Sequence, residues 1–201
     1  LRGLADQETE DAYRRAIEES PEFAPAYAHL GRFLRRKGRA SDSAAAFDTA
    51  IRKALYPASM ILVAQALQSD QRFADSVKLL KKVLSQDANN PAALILLGRG
   101  FTSVGAYTDA EVVLRKASMI TVGGVSGWSG LAELYLRVGK PDAAEDALLK
   151  AARFADGSDR FELARLFAAV GDAFLKTGGQ VAAERAFRKA RELNPELAAD
   201  A

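Results

Sequence analysis

A two-residue step, a large aliphatic residue followed by one with little or no side chain, returns at a nearly constant interval along this chain. Leu30-Gly31 is followed by Val63-Ala64, Leu97-Gly98, Leu131-Ala132 and Val170-Gly171, at offsets of 33, 34, 34 and 39 residues. A period of this length is one supersecondary unit repeated, and it constrains the fold more tightly than composition does. Three residues after each small residue stands a large one: Leu34, Leu67, Phe101, Tyr135 and Phe174. Three before each Leu or Val stands another: Tyr27, Met60, Leu94, Trp128 and Phe167. Spacings of three and four place all of them on one face of an α-helix.

A turn follows each of these helices. Gly38, Gly105, Gly139 and Gly178 occupy it, where glycine can take the left-handed conformation that ends a helix, and only Gln71 departs. A second helix then carries a small residue (Ser43, Ser76, Ala110, Ala144, Ala183) and a large one four later (Phe47, Leu80, Leu114, Leu148, Phe187). Three residues further on comes Ala50, Val83, Ala117, Ala151 or Ala190. Antiparallel helices approach closely only where side chains are short, so Gly98 is expected against Ala110, with Leu97, Phe101 and Leu114 filling the space around them. Overpacking at Gly98 should therefore destabilise the chain, and the same change at Gly100 should do much less.

These residues resemble the tetratricopeptide repeat family, whose pattern runs large aromatic, Leu-Gly, Tyr, small turn, Ala, Phe, Ala and Pro. The resemblance implies an all-α fold, a right-handed α-solenoid of helix-turn-helix repeats. It covers five repeats, 24–56, 57–90, 91–124, 125–163 and 164–197, preceded by the second helix of an incomplete repeat in 1–21 and followed by a tail, 198–201. In 1–21, Tyr13, Ala16 and Pro21 fit the late pattern positions. The late proline is Pro195 in the last repeat, while Pro57 and Pro91 are shifted into the next one. The long fourth interval places its excess in FADGSDRFEL, which predicts a first helix lengthened at its start with Ser158 or Asp159 as cap; a contact site at the rim is the other reading.

The ends of the array read differently. Glu184, Arg188 and Arg191 stand where the second repeat has Val77, Lys81 and Leu84, as expected of a polar C-terminal edge. Tyr13, Ala16 and Ile17 are placed to pack on a first helix of their own repeat, so at least one more helix is expected upstream of Leu1.

Catalytic chemistry finds few candidates. There is no cysteine and one histidine, His29, which excludes a thiol nucleophile and any metal site of two histidines, and no catalytic, cofactor-binding or metal residue is assigned. His29 is read as packing beside Leu30. Gly123, Gly124 and Gly127 follow no strand and precede no Gly-Lys-Ser, so they read as a helix-ending linker and not a phosphate loop. Trp128 fills the family's aromatic slot and is expected in the core. The run Arg35-Arg36-Lys37-Gly38-Arg39 closes a helix, where cations favour the dipole; a binding role is the alternative. With 28 basic and 26 acidic residues the surface is mixed, which argues against a polyanion partner. No apolar run reaches the ~20 residues of a membrane span, so no direct membrane insertion is expected of this segment, and cytoplasm and periplasm are equally compatible with it.

The resemblance implies a concave groove lined by the first helices, holding a peptide or helical segment of another protein. Its pattern positions fall on Arg32, Arg35 and Arg36; Ile61, Gln65 and Gln68; Ile95, Arg99 and Thr102; Ser129, Glu133 and Leu136; and Arg165, Asp172 and Leu175. The lysine and asparagines of the carboxylate clamp in chaperone-binding members are missing, so chaperone tails are not the expected ligand. Arg32, Arg35 and Arg99 make the first two-thirds positive around Ile61 and Ile95, while Glu133 and Asp172 turn the rest acidic. The expected partner is a protein segment with acidic residues and apolar anchors. RNA-reading helical repeats use polar side chains where Ile61 and Ile95 stand here, so nucleic acid is not expected. The principal reading is a non-enzymatic interaction scaffold. The alternatives are the substrate-reading arm of a larger enzyme, of glycosyl- or sulfotransferase type, or a secretion, pilus or envelope assembly factor.

Overall fold

The computed structural model describes residues 2–120 and 124–195, with side chains from Asp6 onward. Among these residues there are eleven α-helices and no strand. They are α1 (Arg2–Glu19), α2 (Ala24–Arg36), α3 (Ala40–Lys53), α4 (Pro57–Ser69), α5 (Phe73–Gln86), α6 (Pro91–Ser103), α7 (Tyr107–Met119), α8 (Gly124–Arg137), α9 (Pro141–Ala151), α10 (Arg160–Lys176) and α11 (Gln180–Leu193). Two compact units divide the chain, Leu1–Leu96 and Leu97–Ala201, with the boundary inside α6. The expected tail, 198–201, and Gly123 lie outside the described residues.

In the first unit α2 packs on α3 and α4 on α5, with α2 against α4. Prolines stand in the first turns of α2 and α4, where the missing N–H costs no helical bond. Phe47, Met60, Leu67 and Leu80 are fully buried. Tyr13 and Ile17 on α1 are partly buried against Leu30, Phe33, Leu34 and Ala46, so they pack on the hairpin that follows them in sequence. Arginines tie each second helix to the one before. Arg39 bonds both carboxylate oxygens of Glu10 on α1 at 3.0 and 2.9 Å, and Arg72 reaches Asp48 on α3 at 3.0 Å.

In the second unit α8 packs on α7 and α9, and α10 on α8, α9 and α11. Leu114, Leu131, Leu148 and Phe167 are fully buried. Arg185 on α11 makes a bidentate contact with Glu145 on α9, whose side chain is 8% exposed. α10 has 17 residues against 13 in α2, α4 and α6, so the insertion does lengthen a first helix. The cap differs from expectation. Asp159 holds the N-cap position with helical angles, φ −81° and ψ −19°, and its carboxylate accepts from the Asp156 N–H instead of from the helix. Ser158 likewise turns back on Asp156.

The hairpin contact is small against large, which corrects the expected pairing of Gly98 with Ala110. A Cβ on Gly98 would lie 2.4 Å from Leu114 Cγ, and one on Gly130 of α8 would lie 2.7 Å from Leu114 Cδ2. Leu114 is a knob wedged between two helices that have removed their side chains to receive it. Gly31 does the same for the Phe47 ring at 2.9 Å, and Gly171 for Phe187 at 2.6 Å. Gly127 faces backbone instead of a side chain, since its Cβ would meet the Ser118 backbone nitrogen at 2.5 Å. Gly100 is buried as well.

Gln71 has φ +62°, close to the +73° to +80° of Gly38, Gly105, Gly139 and Gly178. The turn geometry is imposed by the hairpin, and glutamine carries the Cβ penalty there. Gln71→Gly is expected to stabilise the protein by up to about 1 kcal/mol, read as a higher urea midpoint at unchanged slope. Gly127→Ala should cost about 1 to 3 kcal/mol because backbone cannot give way as a side-chain end can, while Gly157→Ala, which meets nothing within 4 Å, should leave the midpoint in place.

Candidate protein-interaction surface

The first helices of the first unit present a basic row and an aliphatic one. On α2, Arg32 is half-buried, and Arg35 and Arg36 are exposed. Arg35 Nη1 lies 3.7 Å from Oδ2 of Asp70, a carboxylate 8% exposed at the end of α4 whose Oδ2 accepts no hydrogen bond. Arg32 and Arg36 have no carboxylate partner among the described residues. His29, one turn before Arg32, stacks on Tyr13 at 6.2 Å and 10° between planes. Partial desolvation, with Arg32 adding to it, holds its imidazole below the usual value, so it is neutral near pH 7.

On α4, Ile61 is half-buried and Gln65 exposed. Leu62 beside them is 49% exposed, an apolar side chain that the family positions pass over. Gln68 is committed elsewhere: its Nε2 donates to the Leu96 carbonyl at 2.7 Å and ties α4 to α6. Ile95 on α6 is half-buried. A long polar side chain can brace two helices only when it meets a carbonyl on the neighbour, a geometry that sequence spacing does not reveal.

The second unit carries charges of both signs close together. Arg99 Nε is 3.4 Å from Glu133 Oε2 and makes no hydrogen bond. Arg165 forks onto Glu162 at 3.0 and 2.6 Å, one turn apart on α10. The Arg165 bond first, then its charge and that of Arg99, hold the Glu162 carboxyl below its usual range against a burial that pushes the other way. Arg99, Ser126, Ser129 and Glu162 line a small depression over Val125 and Leu163. Glu162 lies within the inserted stretch, outside any family position, and its spacing to Arg165 was the one signal that could have pointed to it. Asp172 is exposed on α10. Thr102 is a correction: it is 8% exposed and its hydroxyl donates to the Gly98 carbonyl at 2.9 Å, so it offers nothing to a partner.

Gly124 opens α8 and Gly127 lies within it against the Ala117 and Ser118 backbone, which corrects their reading as a helix-ending linker. Trp128 is only half-buried, under the Lys150 ammonium 4.8 Å from its ring centroid, which corrects the expectation of a core residue. No helix of the described residues is long and apolar enough to cross a membrane.

No known family profile matches the chain, and no curated protein does. Solved structures do match. MamA is 21% identical, with a TM-score of 0.62 over 84% of this chain and 96% of that one. TTC0263, a thermophilic TPR protein in Thermus thermophilus, is 17% identical with a TM-score of 0.59 over 86% and 92%. YrrB, a TPR protein with an unusual peptide-binding site, is 16% identical with a TM-score of 0.55 over 92% and 94%. At these identities the likeness is one of fold, and the chain has the tetratricopeptide-repeat fold.

Proposed function

We propose that this protein is a non-catalytic interaction scaffold, and that the first helices of residues 1–96 receive a segment of another protein bearing acidic residues and aliphatic anchors. The observation that supports this most is the uncompensated charge of Arg32 and Arg36, which have no carboxylate partner among the described residues. Ile61, Leu62 and Ile95 on the following first helices offer apolar contact, and Gln65 is an exposed amide for backbone groups. Arg35 contributes less because Asp70 offsets it. Arg99, Glu133 and Asp172, proposed as the contact residues of residues 97–201, give that part little net attraction because Arg99 and Arg165 face Glu133 and Glu162. Acidic residues of the partner therefore belong at α2. YrrB, a TPR protein with an unusual peptide-binding site, is compatible with this reading.

Affinity capture followed by mass spectrometry identifies the partner. With it in hand, Arg32→Glu combined with Arg36→Glu should weaken binding at least about tenfold, roughly 1.4 kcal/mol, at an unchanged unfolding midpoint. Salt should weaken the wild-type complex, since exposed charges are screened over ~8 Å near physiological ionic strength. Undiminished affinity in the folded double variant, together with indifference to salt, would remove these helices as the binding surface.

A further inference from the structure

A different surface of residues 97–201 has the composition of a binding site. α8 forms the floor between α7 and α9, and it exposes two aromatic residues there, Trp128 and Tyr135, seven residues apart on one face. Ala143 and Ala147, one turn apart on α9, are too short to cover the floor. A half-buried tryptophan in such a cleft is apolar area that folding has left unused. The cleft adjoins a second depression across Tyr135, where Tyr107, Val138 and Lys140 continue the same lining.

The polar groups are ordered. The Tyr135 hydroxyl donates to Glu111 Oε1 at 2.8 Å and accepts from Arg115 Nη2 at 2.9 Å, while Arg115 also holds Glu111 at 2.6 Å. Glu111 thereby stays ionised with Arg115 as its charge partner, and its carboxyl lies below its usual range, chiefly through the Tyr135 bond, with the charges of Arg115 and Lys140 adding to it. Burial, reinforced by that bond, raises the Tyr135 phenol, which stays protonated. Lys140 at one end and Lys150 at the other remain as positive charge, with Asp146 the acidic residue left among them. Lys150 lies over the Trp128 face, which marks the ring as accessible to a cation and to an apolar group that displaces it.

We propose that this furrow is a second docking site, for an extended polyproline-type segment of a partner protein with prolines set against Trp128 and Tyr135 and carboxylates directed at Lys140 and Lys150. The spacing supports the choice of conformation. Seven helical residues rise about 10.5 Å, and one turn of a polyproline helix advances about 9.3 Å and returns every third side chain to the same face. Consecutive prolines at that interval meet consecutive aromatic residues, as extended proline-rich ligands do in aromatic-lined grooves, and the residues between them face the lysines.

Trp128 is the single tryptophan of the chain, so its emission reports on this furrow directly. The probe is a short Pro-Glu-Glu repeat peptide, with Pro-Lys-Lys and Ala-Glu-Glu repeats as controls. The first should change Trp128 emission saturably, the second should not, and the third should bind more weakly. Lys150→Glu and Lys140→Glu should each raise the dissociation constant at least about tenfold at an unchanged unfolding midpoint, and Lys140→Glu tests the charge without touching the tryptophan. Arg32→Glu with Arg36→Glu should leave this titration as it was, which separates the furrow from the surface on α2. No saturable change in emission, an equal response to the lysine peptide, or full affinity in both lysine variants would overturn the proposal.

Discussion

The structure depends on the fit of a large side chain of a second helix into a glycine socket on a first helix, seen for α3, α7 and α11. Leu114 shows it most fully, with Gly98 on α6 and Gly130 on α8 both stripped of side chains where it enters. Phe47 against Gly31 and Phe187 against Gly171 repeat the contact with a ring. Interiors close-pack, so the distance between helices is set by the bulk at their contact, and a missing Cβ lets backbone come to the surface of the knob. The aliphatic residues around each socket are then buried as a consequence of that distance, which is why Leu97, Leu131 and Val170, each beside the small residue, are at most 3% exposed.

Two secondary constraints follow from the hairpin. Its turn must reverse the chain in a left-handed residue, and Gln71 adopts φ +62° although it lacks glycine's freedom, so packing overrides local preference there. Successive second helices must also keep their register along one another. Arg39, Arg72 and Arg185 each reach back to a carboxylate on the preceding second helix, and the Glu145 partner of Arg185 is nearly buried, where a charged hydrogen bond is directional and costly to break.

Charge separates the surfaces that this scaffold carries. Ion pairs within residues 97–201 engage Arg99, Arg165 and Arg115, whereas Arg32 and Arg36 on α2 have no carboxylate partner among the described residues. A side chain already engaged must give up its partner before it can bind another, so the α2 pair is the stronger attractor for an acidic segment. The α7–α9 furrow works differently, through aromatic faces whose polar tips are held in place by Glu111 and Arg115. Rigid aromatic contact of this kind loses little conformational freedom on binding.

The helices, their hairpin pairing, the lengthened α10 and the fold they build were all legible in the sequence, because a period near 34 residues and a spacing of three and four are properties of order along the chain. The partner of each socket was not, since periodicity says that Gly98 is inside but not whether Ala110 or Leu114 enters the space it leaves. Nor was the commitment of individual polar groups. Gln68 braces a neighbouring helix, Thr102 bonds its own, Arg99 faces Glu133, and Trp128 stays half-exposed because Ala143 and Ala147 leave it uncovered. Each of these depends on what a residue distant in sequence places within a few ångströms, and the sequence determines a helix face while only packing decides what that face meets.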